Sequence, residues 1–535
     1  MPPRKLTAWA AIVGVYACLL ALHGPLLRLP YFWDEAGYYI PAALDFYHHA
    51  LLIPTSTQPT GHTPLLSIYL GSLWHLLGFS TLVTRAALVL IATLTVWLVL
   101  ELGRRLAGTE AGIWSGLLLA ISPLFFAQSS LAFLDLAVTL FTTGALLALV
   151  EGQWMAFVVA ASLAEMSKET AVVMLPVAWA FVWLRRRERK PWVWIALAAP
   201  LIPISLWALF YHAKTGFWTG NPQYLQYNLY AALAPLRICR SFLARCEELL
   251  VGGFNWFLTL AAIAGLWWWR RTDTASKIGN TEAVAAAAGG RRRRSTTTAP
   301  NRGKTVDLIF LAAGLAAVYI GLLSVVGGAI LPRYMLPVFP FYILVAVIFI
   351  LKLPKRFGQA IFALAAIGFI ACWFWNPPYP FPYEDNLAYA DFIRLHQQAA
   401  RYLEGEPPGA KILTAWPATD ELRQPSLGYV TRSLRIEAID GFTPRDFADP
   451  PAFDLLYLYS RQWEPPHNLI LRFPRLRSSL QRFYRYTPQV NGPELISRFH
   501  LKLIRQLRRR GQWVRIYAVA KAGAKQHACG VVSSN

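Results

Sequence analysis

Residues 31–50, YFWDEAGYYIPAALDFYHHA, set two adjacent carboxylates, Asp34 and Glu35, directly behind a long apolar run. Carboxylates in such a place can accept a proton, orient a polar ligand or help bind a cation. If the stretch is helical at 100° per residue, Asp34, Tyr38, Asp45 and His49 fall within roughly 60° of one another and form one polar face. More ionisable residues recur at a few other points in a chain otherwise poor in charge. Asp135 lies in SSLAFLDLAV, Lys168 and Glu169 in MSKET, Arg333 and Tyr334 in LPRYMLPVFPFY, and His62 in GHTPLL. A single ionisable residue at a membrane boundary can simply snorkel to water. A set of acids and cations gathered at one boundary is a stronger indication of chemistry.

What must position them is a bilayer protein. The 535 residues are 56% hydrophobic and 15% charged, with a mean hydropathy of +0.38, too apolar for a soluble globule of this length. Eleven apolar segments are expected to cross about 30 Å of hydrocarbon: 9–27, 82–101, 111–127, 131–150, 154–166, 170–184, 192–211, 252–269, 306–326, 334–351 and 357–375. The net charge of +22 then explains itself without nucleic acid. With a cytoplasmic N-terminus, Arg104-Arg105, RRRERK (185–190), the basic stretch 270–304 and KLPKR (352–356) all fall on one side, as the positive-inside rule requires. The first apolar run lacks a small-residue cleavage site and reads as an anchor.

This count places the first outer loop at 28–81, with two interfacial helices around the turn IPTSTQPTGHTP, and a disordered cytoplasmic loop at 270–305 containing four consecutive arginines. That loop reads as a segment held near anionic lipid. Residues 1–375 make the transmembrane domain. Residues 376–535 read as an extracytoplasmic α/β domain, with an amphipathic helix, strands at KILTAW, FDLLYLYS and QWVRIYAVA, and a helix near 493–509. Cys239 and Cys246 share an outer loop, but seven residues of helix separate their Cα atoms by about 10 Å, beyond the roughly 7 Å that a disulfide spans.

An acidic pair opening the first outer loop, two interfacial helices, SKE between short spans, PRYMLPVFP and an outer C-terminal domain together resemble the integral-membrane glycosyltransferases of the GT-C fold. In layout the chain is similar to the group containing bacterial aminoarabinose transferases and protein O-mannosyltransferases. The resemblance implies a polytopic α-helical membrane protein of about eleven spans in the inner (cytoplasmic) membrane. It also implies a polyprenyl-phosphate-linked sugar as donor and a protein hydroxyl, lipid A or an envelope glycan as acceptor. The family's first-loop acid, its proposed base or acceptor-binding carboxylate, corresponds to Asp34 or Glu35, and its later acid to Asp135. His62 stands where many members carry a phosphate-binding lysine. Lys168 and Arg333 resemble the remaining phosphate contacts, with Tyr38, Glu169 and Tyr334 beside them at the donor or acceptor site. Asp135 and His49 are candidate ligands should a divalent metal take part.

Such a reaction requires the site to be at the membrane surface, because the donor's lipid tail stays in the bilayer while its sugar meets an acceptor from water. Attack by a hydroxyl inverts the anomeric carbon and leaves charge on the lipid phosphate, so cations stabilise the leaving group and a carboxylate takes the proton. Lys168 and Arg333 are accordingly expected to serve the phosphate rather than the fold. The rival reading, a transporter or flippase of lipid-linked sugars, predicts repeated halves and ionisable residues at mid-membrane, and the sequence has neither. The Rossmann and P-loop glycine patterns of nucleotide-binding proteins are absent too.

Overall fold

The computed structural model describes residues 3–230, 233–286, 302–375, 383–407, 409–461, 473–475, 478, 489, 490 and 492–520. The chain divides into two compact units. The first holds the residues up to 376 together with Tyr383–Tyr389, and the second holds 377–382 and the residues from Ala390 onward.

The first unit is helical throughout, and each of the eleven apolar segments contains a helix. By length and composition five helices can cross a membrane alone: Thr81–Ala107, Pro191–Thr215, Gly303–Val325, Pro332–Ile350 and Lys355–Phe374. Pro235–Leu250 and Gly252–Thr272 make a sixth candidate, bent by 40° between them. Other apolar runs are shorter or interrupted. The run expected at 111–127 stops at Ile121 and restarts at Pro123, which supplies no amide for the preceding turn. That expected at 170–184 opens as a 3-10 turn over Glu169–Val173 and closes as a π turn over Val182–Arg186.

Pro332–Ile350 is the innermost of the five, with 83% of its apolar window buried, against 22% for Pro191–Thr215. Thr81–Ala107 packs on Thr109–Ile121 through Gly103 and Gly112, where a Cβ on Gly103 would lie 2.8 Å from the Gly112 Cα. Small residues allow this backbone approach, as is usual between helices in lipid.

Disorder was expected across 270–305. Instead the helix Asn255–Ala286 continues through the first half of that stretch and a second begins at Arg302. The four arginines, 291–294, lie outside the described residues.

The second unit carries a five-stranded sheet. Its strands are β1 (Ile412–Ala415), β2 (Ile436–Ile439), β3 (Leu455–Tyr459), β4 (Leu501–Arg509) and β5 (Gln512–Val519), in the order β2-β1-β3-β5-β4. β1 is parallel to β2 and β3, whereas β3–β5 and β5–β4 are antiparallel. Both β1 and β3 are buried along their whole length, in keeping with their largely apolar sequences, and the one hydroxyl in β1, on Thr414, donates to the Tyr457 carbonyl. The amphipathic helix Ala388–Glu404 precedes the sheet.

The helix predicted at 493–509 is corrected. Only Gly492–Phe499 is helical, and Leu501–Arg509 is a strand paired with β5. Arg510 and Gly511 both have positive φ, 45° and 84°, which is the geometry of a tight two-residue hairpin turn. That turn brings the alternating residues of 501–509 beside β5.

Candidate active site

The loop that follows the first apolar run enters through a strained corner. Trp33 has φ 48°, a left-handed conformation that costs a bulky side chain energy, and Asp34 follows it. What holds the corner is Glu35. Its carboxylate is fully buried and accepts from the backbone amides of Phe32 at 2.8 Å and Ala132 at 2.5 Å. It also pairs with both terminal nitrogens of Arg85, at 2.6 and 3.0 Å. Arg85 in turn donates to the carbonyls of Pro30 and Ser130. The pair therefore ties together the loop, the helix Thr81–Ala107 and the segment leading to Asp135.

The helical register expected after Asp34 is also corrected. Glu35–Tyr39 is a π turn, and a regular α-helix begins only at Ile40 and ends at His49. The wider turn breaks the 100° progression, so Asp34, Tyr38, Asp45 and His49 do not act as one face. Asp45 instead accepts from the amides of Thr55 and Ser56, at 2.6 and 2.9 Å, and closes the following turn. His49 is exposed at the helix end and Tyr38 is half-buried. Tyr39, not singled out by the sequence reading, has its ring 6.4 Å from that of His62 and 6.0 Å from that of Phe133.

Asp34 reaches Arg333, at the start of the innermost span, and forms an ion pair with it. Arg333 is 1% exposed and stands 3.9 Å over the ring of Phe133. It also pairs with Glu384 at 2.7 Å and approaches Asp135 at 3.5 Å. Asp135, in the first turn of Leu134–Val150, accepts from Lys168 at 2.8 Å. Lys168 is the extended residue between two helical turns, φ −161°, and its ammonium lies 4.1 Å over the Tyr334 ring. Arg245 lies 5.5 Å from the centre of the same ring, bonded to Glu248 and to the Leu331 carbonyl. Asp34, Asp135, Lys168, Arg333 and Tyr334, scattered in sequence, thus form one connected network.

His62 joins its edge. Gly61 before it has φ 79° and passes so close to Gly220 that a Cβ would fall 2.3 Å from that backbone nitrogen. The His62 Nδ1 faces both oxygens of Glu169, at 3.0 and 3.1 Å. Burial raises the Glu169 carboxyl, but His62 and Lys168 beside it outweigh this and lower it to about 2. Glu169 is therefore an ionised acceptor, and Nδ1 must carry the proton.

Glu384 and Arg245 were missed by the sequence reading. Arg245 had a signal, since it lies in the strongly amphipathic helix Pro235–Leu250. Glu384 follows a Pro/Tyr-rich stretch with no periodic pattern, and nothing local marks it.

The expected metal ligands are not assembled. Asp135 is engaged by two cations and His49 sits at an exposed helix end. Among the described residues, no group of three or more His, Cys, Asp or Glu could hold an ion.

Lys168 and Arg333 were expected to leave the fold untouched when replaced, but each is ion-paired inside the protein. Lys168→Met should therefore lower stability by about 1–3 kcal/mol, since Asp135 keeps only the more distant Arg333. Adding Asp135→Asn should recover most of that loss, because the pair is then removed as a unit. Thermal unfolding in detergent reads the effect. Additive losses in the double variant would show that the two residues do not interact.

Residues 61–210 match the family described as dolichyl-phosphate-mannose-protein mannosyltransferase. No protein of curated function matches the chain by sequence. Among solved structures, ArnT from Cupriavidus metallidurans bound to undecaprenyl phosphate superposes with a TM-score of 0.53 at 12% identity, over 98% of this chain and 99% of that one. The apo state of the same protein gives 0.52 at 12% identity, over 96% and 98%. The chain has the GT-C fold of these structures and is a multi-pass membrane protein.

Proposed function

We propose that the chain is an inverting glycosyltransferase that moves a sugar from a polyprenyl-phosphate carrier to a hydroxyl acceptor. The acceptor belongs to a protein, lipid A or an envelope glycan, and the reaction takes place at the outer face of the cytoplasmic membrane. The observation that carries this reading is the Asp34–Arg333–Asp135–Lys168 network, built within a fold shared with a protein crystallised with undecaprenyl phosphate. The match of residues 61–210 to a mannosyltransferase family supports it independently.

In this reading the acceptor hydroxyl attacks the anomeric carbon while the bond to the lipid phosphate breaks. The phosphate gains negative charge, and Arg333 and Lys168 provide fixed positive charge where it develops. The acceptor oxygen loses its proton to Asp34, the most exposed of the three acids around Arg333, with 19% of its side chain accessible. The transfer is feasible because the hydroxyl acidifies as bonding to carbon proceeds. One displacement inverts the configuration. Glu35, locked by four hydrogen bonds, holds the corner that presents Asp34.

The test is to incubate the purified protein with a panel of labelled polyprenyl-phosphate sugars and candidate acceptors. Transfer of label, with inverted anomeric configuration, is the expected result. Movement of the intact lipid-linked sugar across a vesicle membrane without transfer would replace the enzyme by a flippase. Orientation is checked separately: reporter fusions after Lys190 should read cytoplasmic and fusions beyond Asn376 extracytoplasmic, in keeping with the basic clusters.

A further inference from the structure

Three carboxylates, Asp34, Asp135 and Glu384, converge on the single guanidinium of Arg333, and Lys168 adds one more cation on the Asp135 side. A phosphate arriving at Arg333 meets a cation already neutralised by acids. For the anion to bind, one carboxylate must withdraw or lose its charge.

The three acids differ in how readily they can do so. Asp135 keeps its own cation, Lys168, at 2.8 Å. Asp34 is partly open to water, which solvates its charge. Glu384 is enclosed, with 8% of its side chain accessible. One of its oxygens is bonded to Arg333 at 2.7 Å, and the other is buried without a hydrogen-bond partner among the described residues. Its backbone carbonyl accepts from the Gln128 side chain at 2.8 Å, which anchors the residue in the chain. An acid that is enclosed, half-satisfied and anchored gives way most easily by taking a proton.

We propose that Glu384 is a proton-coupled positioning residue of the donor site: it holds Arg333 in place before the donor arrives, and takes up one proton from water as the donor's phosphate replaces it on the guanidinium. Apart from the O–H bond formed on Glu384, no covalent bond changes. Arg333 exchanges a carboxylate oxygen for a phosphate oxygen, and the proton ends on a Glu384 oxygen. The inference rests on the polyprenyl-phosphate reading above.

The electrostatic surroundings agree. Burial, with Asp34, Asp135 and Asp385 adding to it and Arg333 opposing, raises the Glu384 carboxyl to about 7. The helix Pro123–Gln128, whose side chain anchors it, brings no charged residue. Asp385, raised by burial to about 6, is the competing acid and serves as the control.

The experiment uses the full-length protein and a polyprenyl phosphodiester carrying a methyl group in place of the sugar. Its phosphate keeps one negative charge from about pH 6 to about 9, so any proton taken up belongs to the protein. Calorimetric titration at pH 8 in buffers of different ionisation heat should show uptake approaching one proton. Affinity should be flat below about pH 7 and fall up to about tenfold per pH unit above it. In Glu384→Gln the uptake should vanish and the affinity at pH 8 should rise to the low-pH value. Asp385→Asn should keep the proton uptake, with its onset moved slightly to lower pH because the Asp385 charge no longer adds to the raising of Glu384. Binding without proton uptake, or uptake that persists in Glu384→Gln, overturns the assignment of Glu384. A wild-type protein that does not bind the diester at any pH overturns the donor reading instead.

Discussion

Asp34→Asn should lose on the order of 10²- to 10⁴-fold in single-turnover transfer, the range expected for removing a general base, while binding of the donor lipid is kept or strengthened. The second half of that expectation comes from the geometry. Asp34 is ion-paired with Arg333, so neutralising it leaves the guanidinium more, not less, available to a phosphate. The amide preserves shape and hydrogen bonding, which separates loss of basicity from loss of structure. Near-normal transfer by the asparagine variant would remove Asp34 from the chemistry. A donor affinity that falls in parallel with rate would make it a binding residue instead.

Arg85→Met should damage the fold severely, destabilising the protein by about 3–5 kcal/mol, as when one partner of a buried ion pair is removed. Arg85 is 1% exposed, and its loss strands the fully buried Glu35 charge and two backbone carbonyls together. Glu35→Gln should cost less, because the amide oxygen can still accept from Phe32 or Ala132. Yield, thermal midpoint and transfer per folded molecule, measured together, decide the role of Glu35. If Glu35→Gln folds normally yet is inactive while Asp34→Asn transfers sugar, the adjacent acids have exchanged the roles given to them here.

Much of this was legible in the sequence because lipid imposes simple rules. A helix satisfies its own backbone, so apolar runs identify helices directly, and every expected span contains one. How many cross alone was less legible, because prolines and tight turns divide several runs without changing their hydropathy. The ionisable residues at one boundary were visible as types, but their pairing was not. Arg333 has no acid near it in sequence, and its three carboxylates come from positions 34, 135 and 384. Glu35 could not be told from Asp34 as the candidate base because its partner, Arg85, lies fifty residues on, within an apolar span. In the second unit, 501–509 carries enough basic and apolar residues to suit an amphipathic helix. The hairpin signal Arg510-Gly511 was the better guide, and pairing with β5 decided the outcome.

The π turn at Glu35–Tyr39 bears on how this loop can be transplanted. Such a turn behaves as one surplus residue lodged in a helix, and it survives only while its surroundings favour it. Deleting one residue between Ala36 and Tyr38 would remove that surplus and close the wide turn to ordinary pitch. The acidic pair would remain, but without the wide turn that follows Asp34 in this structure. Chimaeras with proteins of the same fold should therefore be joined outside the stretch from Pro30 to Thr57, whose hydroxyl caps the Gly37 carbonyl at 2.6 Å. A junction inside it would preserve the Asp-Glu pair and still lose the site.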